Sequence, residues 1–336
     1  MFMSTELFVG EGVFETLSAE WDALVGRSMT DTPFQSLAYQ RAWWTHLAPA
    51  GATLLTVAAR DEAGALMAIG CFFALDDALH FNGCVEETDY LDLIAPAERA
   101  AEAWAAVLSC LESVTSPAWT TLDLCNVPHD SPTRAILPAL AAERGYDFDE
   151  QQAEVCPTIS LPDTFDAYLE SLDSKQRREV SRKLRRAEGA DLTTTAVGPD
   201  DDVDAAVGQF LDLLQSSTFE KRDWLNEGRR AVFHDVARAA QAAGTLQLLF
   251  CGVEGRAAAA LFNFDYRNRI WVYNSGLDPA AFAALSPGVV LTAAAIERAI
   301  ALGRREFDFL RGNEEYKYRF GAVDRPIYRL TLRRPL

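Results

Sequence analysis

The sequence predicts an α/β (α+β) fold of two tandem units, each a mixed, mostly antiparallel sheet flanked by helices. Three observations carry this. The chain has 336 residues, more than one core ordinarily serves and enough for two domains. Hydrophobic residues make up 49% of it, as in globular proteins. One order of elements (hairpin, strand, helix, strand) is written twice, from Thr53 and again from Thr245.

In the first copy, TLLTVAAR and ALMAIGCFFAL flank the turn DEAG, two apolar runs joined as a β-hairpin joins them. A strand is expected over Glu87–Ile94. A helix follows over Pro96–Val114, where Ala101, Trp104, Ala105, Leu108 and Leu111 recur at helical spacing, and then a strand over Trp119–Leu124. Upstream, Trp43 and Trp44 sit on a predicted helix with one of them in the core. Between the copies lie helices over 165–171 and 175–187, with Ser174 as N-cap and Gly189 as a left-handed C′ residue. Gly198-Pro199 marks a break before an acidic helix start at Val203. The second copy reads TLQLLFCGV, turn EGR, AAAALFNFDY, then a strand over Arg269–Gly276. A helix over Pro287–Leu302 and a strand over Arg305–Leu310 complete it.

A net charge of −18 repels polyanions, so DNA is excluded as a partner and tRNA disfavoured, while one small anion can still sit on backbone amides. The six cysteines lack CxxC spacing and read as reduced; the four histidines form no metal pattern, so no metal is expected. No apolar run suits a membrane helix and the N-terminus lacks a secretory pattern, so the expected compartment is the cytoplasm. Lys175, Arg177, Arg178, Arg182, Lys183, Arg185 and Arg186 crowd one helix. They form either a solvated face or a basic wall for the phosphates of a cofactor or anionic acceptor.

Ser286-Pro287-Gly288 opens the helix of the second copy. Ser suits the N-cap, Pro suits N1, and Gly allows close approach, so the amides of Gly288, Val289 and Val290 are expected to face an anion. Downstream, Phe307 and Phe309 share one face of a strand with Asp308 on the other. Arg311-Gly312-Asn313 and a segment with Tyr316, Lys317 and Tyr318 come next.

The passages TPFQSLAYQRAWW (Thr32–Trp44), LSPGVVLTAAAIERAIALG (Leu285–Gly303) and FDFLRGNEEYKYRFGA (Phe307–Ala322), with the basic SKQRREVSRKLRRAE helix, resemble the GNAT acyltransferases. Within them the resemblance is to the FemAB-like and cellulose-biosynthesis-associated (CelD-type) proteins, over essentially the whole chain. It implies two GNAT-like domains: 1–160, on the acceptor side and without cofactor, and 161–336, holding the acyl-CoA site and the basic helix 174–188. The activity implied is N-acyl transfer, acetyl-CoA being the expected donor, to an amine of a small molecule, glycan or peptide. The resemblance assigns the oxyanion donor to Tyr273–Ser275, hence Tyr273, Asn274 and Ser275. Phosphate contacts fall to Ser286, Gly288, Val289, Val290 and Asn313. Tyr316 is the expected acid, with Tyr318 as competitor. Lys317 polarises the carbonyl, contacts the acceptor or is merely solvated; Asp308 is the base or orients Arg311 structurally. Asp89 and Tyr90, beside Asp92, with Glu220 and Arg311, are assigned to the acceptor. The chain departs from the family in lacking the Q/R-x-x-G-x-G/A phosphate loop, and Ala95-Pro96-Ala97 stands in the first copy where Ser286-Pro287-Gly288 stands in the second. The rivals are an aminoacyl-tRNA-dependent peptidyltransferase and a non-catalytic module of this fold in cell-envelope polysaccharide pathways.

Overall fold

The computed structural model describes residues 3–84, 88–113 and 118–335. They form two compact units, Met1–Val155 with Arg325–Leu336, and Cys156–Asp324. The division expected from sequence, at 160/161, differs in one respect beyond a few residues: the C-terminal strand belongs with the first unit, because its partner is a strand of the first copy.

The first unit contains β1 (Ser4–Val9), α1 (Gly12–Thr16), α2 (Trp21–Val25), α3 (Leu37–Leu47), β2 (Thr53–Arg60), β3 (Leu66–Leu75), β4 (Ala78–Phe81), α4 (Ala100–Glu112), β5 (Thr121–Pro128), α5 (Thr133–Arg144) and the start of β6 (Asp147–Ser160). Strands β1 to β4 pair antiparallel in sequence order, and β4 pairs with β5 in parallel. The apolar runs of β2 and β3 are buried nearly end to end. Trp104, Val107, Leu108 and Leu111 of α4 are fully buried, and the Trp104 indole donates to Thr133 Oγ1 at 2.8 Å, which satisfies its one polar atom. Trp43 and Trp44 are both buried, at 2% and 8% exposure.

Two expectations for this unit are corrected. The third strand of the first copy is β4, not Glu87–Ile94. Glu87 lies outside the described residues, and residues 88–94 hold one bridge, Ile94 to Ile69. Their polar groups are met locally instead. Asn126 donates to the Thr88 carbonyl, and Asp92 accepts from Thr30, Thr133, Ser131 and its neighbour's Leu93 amide. The cysteines are also not all reduced, since Cys84 and Cys125 form a disulfide. Their Cα atoms lie 5.8 Å apart, within the range a disulfide bridges.

The second unit contains the end of β6, α6 (Phe165–Ser171), α7 (Ser174–Glu188), β7 (Thr193–Ala196), α8 (Val203–Ser217), α9 (Phe219–Trp224), α10 (Glu227–Ala242), β8 (Leu246–Val253), β9 (Arg256–Tyr266), β10 (Arg269–Leu277), α11 (Pro287–Ala301), β11 (Glu306–Asp308) and α12 (Glu315–Tyr318); β12 (Val323–Arg333) then pairs antiparallel with β5. Strands β7 to β10 pair antiparallel in order, β10 pairs with β11 in parallel, and β11 pairs with β6 antiparallel. The pairing of β2, β3, β4 and β5 is thus repeated by β8, β9, β10 and β11, each with a helix before its parallel strand. The fold is α/β with tandem GNAT-like units.

The core of this unit gathers Leu249, Cys251 and Ala259 of the sheet, the apolar side of α11, and Val180 and Ala187 of α7. Helix α7 is capped by Asp173, not Ser174, whose carboxylate accepts from the Lys175 and Gln176 amides at 2.8 and 2.9 Å. A carboxylate accepts two amides at once and meets the positive helix end with full charge. Gly189 has φ −73°, so the helix ends without the left-handed residue expected there. At Gly276 an added Cβ would lie 2.7 Å from the Leu214 amide nitrogen. That glycine lets the end of β10 press against α8.

Candidate active site

The end of β10 is where the sheet opens. Its pairing with β9 continues to Leu277, through an irregularity at Val272–Asn274, whereas β11 accompanies it only along Arg269–Trp271. Strand β11 stops early because Asp308 Oδ1 accepts the Leu310 amide at 2.8 Å and Leu310 takes a left-handed φ of 58°, which turns the chain away. The exposed edge of β10 is met by side chains instead. Ser275 N–H donates to Asn274 Oδ1 at 2.9 Å, Leu277 N–H donates to Ser217 Oγ at 2.7 Å, and the Ser275 carbonyl accepts from Lys221 Nζ at 2.6 Å.

Beyond that edge lies a cavity of about 440 Å³, walled by Ser275 and Leu277 of β10, Pro287 to Val289 and Thr292 of α11, and Tyr316 and Phe320. Asp278 and Ala283 close its rim. Helix α11 starts as expected with Pro at N1, but Ser286 caps it differently. Ser286 takes a left-handed φ of 56° and its side chain caps no amide. Its carbonyl accepts from both Val289 and Val290, at 3.0 and 3.1 Å. Those two amides are therefore spent inside the helix, and Gly288 N–H is left in the first turn to face a ligand. An added Cβ at Gly288 would meet only Leu277, at an ordinary 3.7 Å, so this glycine is not demanded by backbone strain.

Of the residues assigned from sequence to the cofactor, Ser275, Ser286, Gly288 and Val289 line the cavity. Tyr273 packs instead among Phe233, Phe262 and Phe264 at 5.3 to 5.7 Å. Asn274 braces the strand edge, Val290 is buried, and Asn313 is exposed. Of the two tyrosines, Tyr316 lines the cavity, its ring edge-on to Phe309 at 6.0 Å. It keeps 39% of its surface open, yet apolar surroundings, and then the Glu314 charge, raise its pKa above the ordinary 10. Tyr318 donates to Asp324 Oδ1 at 2.7 Å, and that bond above all pushes it up to about 12.

Lys317 is 2% exposed, not a solvated lysine. Its ammonium donates to the carbonyls of Leu310, Arg311 and Gly312 at 3.0, 2.7 and 3.0 Å and pairs with Glu314 at 2.9 Å. Asp308 is fully buried, 3.8 Å from Arg269. Arg311 is half-buried and Glu220 exposed on α9. Asp89 and Tyr90 are buried inside the first unit, at 8% and 5% exposure.

Lys221 is not among the residues assigned from sequence, although its neighbour Glu220 is. The Thr218 side chain caps α9 by accepting the Lys221 amide, a signal for the helix, but nothing local shows that Lys221 faces β10. Desolvation lowers its pKa to about 8; Glu314 opposes this and Lys317 adds to it. A lysine depressed in the folded state binds its proton less tightly than in the unfolded chain, so stability rises with pH between about 8 and the ordinary 10.5. In Lys221→Met this rise is expected to vanish, measured as urea midpoints across that interval for both proteins.

Residues 174–318 match the family model described as an acetyltransferase (GNAT) domain. Over that segment the chain is similar to a GNAT acetyltransferase domain. Among solved structures, FemX is similar with a TM-score of 0.68 at 12% identity, over 97% of this chain and 96% of that one. A tandem GNAT protein from the clavulanic acid biosynthesis pathway gives 0.52 at 12%, over 99% and 100%. The C-terminal domain of a putative lysylphosphatidylglycerol synthetase from Agrobacterium fabrum gives 0.59 at 11%, over 94% and 92%. These identities speak for the fold alone. No curated protein matches the sequence. Among the described residues, no helix is long and apolar enough to cross a membrane.

Proposed function

We propose that the GNAT domain transfers an acyl group, acetyl in the first instance, from acyl-CoA to an amine acceptor by direct attack. The observation that carries this reading is the cavity at the opened edge of β10, which joins the Gly288 amide at one wall to Tyr316 at another. A pantetheine arm lying along β10 would bring its thioester towards Ser275, while the helix dipole of α11 favours negative charge beside Gly288. The neutral amine attacks the thioester carbonyl, the C–N bond forms, and the C–S bond breaks. Tyr316, held protonated, gives its proton to the departing thiolate, and the surplus proton of the attacking nitrogen is released to water, from which the phenol is reprotonated. In the first unit Asp89 and Tyr90 are assigned to the folded frame and not to the acceptor.

The test is calorimetry and thermal shift with CoA, acetyl-CoA and longer acyl-CoAs, since a ligand of the native state raises Tm. Gly288→Ala is expected to bind as the parent does, because its Cβ has room. Gly288→Glu sets a carboxylate at the cavity wall and is expected to weaken CoA binding at least tenfold, about 1.4 kcal/mol, with Tm unchanged. Equal affinity in Gly288→Glu removes this cavity as the donor site. A second reading, aminoacyl-tRNA-dependent transfer, is favoured by the basic helix α7; tight RNA binding without any response to CoA would select it.

A further inference from the structure

Two amides that β10 turns to its opened edge are already spent. In an antiparallel pair a residue turns its N–H and C=O both towards the partner strand or both away. Ser275 turns both away from β9, into the space that β11 has left: its N–H donates to Asn274 Oδ1 at 2.9 Å and its carbonyl accepts from Lys221. The next amide on that edge, Leu277 N–H, donates to Ser217 Oγ at 2.7 Å. A carbonyl brought to Ser275 therefore meets these N–H groups engaged, although the resemblance to the GNAT family assigns the oxyanion donor to this strand.

What stands at that edge is a charge. Lys221 Nζ lies 2.6 Å from the Ser275 carbonyl oxygen and 3.3 Å from both Ser275 Oγ and Asn274 Oδ1. That carbonyl points along the plane of the sheet, so the ammonium bonded to it lies in the opening beside β10, next to the wall residue Ser275. Its three partners are neutral oxygens. Glu314, whose charge opposes the desolvation of the ammonium, is itself paired with Lys317 at 2.9 Å. After desolvation, the Glu314 charge also acts on Tyr316. Ammonium and phenol thus share one neighbourhood, the first from α9 and the second from α12.

We propose that Lys221 is the oxyanion donor of the transfer, its ammonium binding the thioester carbonyl oxygen as negative charge develops there. The proposal rests on the acyl-CoA reading given above. As the amine attacks, the C–N bond forms and the carbonyl π pair moves onto oxygen. That pair returns as the C–S bond breaks; Tyr316 protonates the thiolate, and the surplus proton of the nitrogen goes to water. Lys221 keeps its proton throughout. Its two bonds at 3.3 Å are long, and an oxyanion is a stronger acceptor than the neutral oxygens it displaces. A poorly hydrated ammonium with neutral partners gains most when an opposite charge appears beside it.

The experiment compares the full chain with Lys221→Met and Lys221→Arg, using acetyl-CoA as donor and hydroxylamine as a small amine already unprotonated at neutral pH. Thiol release is followed from about pH 7 to about pH 9.5, and acetyl-CoA affinity by calorimetry. Lys221→Met is expected to lower kcat about 100-fold or more, the range for loss of one oxyanion donor, with acetyl-CoA affinity within about threefold. The parent's kcat is expected to fall above about pH 8, as the ammonium loses its proton; desolvation sets that limb, with Glu314 opposing it and Lys317 adding to it. Lys221→Arg, charged at every pH used, is expected to keep part of the rate and to lose the limb, and it serves alone if the methionine variant does not fold. A fall in kcat matched by an equal loss of acetyl-CoA affinity, with the alkaline limb still present, makes Lys221 a brace for the strand edge and overturns the proposal. Unchanged kcat in Lys221→Met overturns it and leaves the donor reading standing. No acetyl-CoA binding by the parent overturns the donor reading itself. Binding without thiol release overturns the transfer, and the proposal with it.

Discussion

Lys317→Met is expected to destabilise the second unit by about 3–5 kcal/mol, seen as a lower urea midpoint with the parent's m-value. The size follows from what the ammonium holds. Three backbone carbonyls, those of Leu310, Arg311 and Gly312, converge on one nitrogen that is 2% exposed. Methionine fills much of the space but donates nothing, so each of these oxygens loses a charge-assisted bond worth about 1.5–3 kcal/mol. Not all of that is lost, because the turn relaxes and water enters. Lys317→Arg is no remedy, since a planar fork does not fit a cage built around a point charge. Glu314→Gln is the contrasting variant: Glu314 is 58% exposed in its pair with Lys317, so about 1 kcal/mol or less is expected. Equal effects of the two substitutions would show that the ion pair, not the carbonyl cage, fixes the turn. Because this turn directs the chain from β11 into α12, Lys317 acts on the cavity by placing Tyr316.

The repeated unit was legible because it is written in strand and helix periods, which survive without knowledge of tertiary contacts. The apolar runs of β2, β3, β8 and β9 and the spacing in α4 and α11 appear where the sequence sets them, within a few residues. The strand expected over Glu87–Ile94 failed because alternation of polar and apolar residues describes a buried polar loop as well as a strand. Asp92 is buried under three hydroxyls, an environment no local pattern announces. The C-terminal strand β12 was not among the expected elements; its partner β5 is some 200 residues away in sequence (Tyr328 opposite Val127), and long-range pairing leaves no short-range signal.

In the site, Ser286-Pro287-Gly288 was readable as a helix start, and Tyr316 as a side chain near it. The hydrogen bonding of that start was not. A left-handed Ser286 that ties up the Val289 and Val290 amides depends on the turn Ala283–Leu285 before it. The burial of Lys221 and of Lys317 was not legible for a common reason: exposed lysine is the usual case, and burial of an ammonium is decided by carbonyls brought from other segments.

Tyr316→Phe is expected to lower kcat for acyl-CoA about 100-fold or more, the range for loss of a general acid, with donor affinity within about threefold. The ring keeps its edge-on contact with Phe309 at 6.0 Å, so the cavity wall survives the change. The pH dependence distinguishes an acid from a packing residue. Burial raises the phenol above its ordinary 10, so Tyr316 remains protonated below that value and no loss of rate through its ionisation appears there. Activity rises with pH only as the acceptor ammonium gives up its proton, and that limb is expected in parent and variant alike. The leaving group gives the second handle. An alkyl thiolate needs a proton as the C–S bond breaks, whereas an aryl thiolate, from a far more acidic thiol, leaves without one. The variant should therefore lose most of its deficit on an aryl thioester. Equal deficits on alkyl and aryl thioesters would assign Tyr316 to positioning, and an unchanged kcat would remove it from the chemistry.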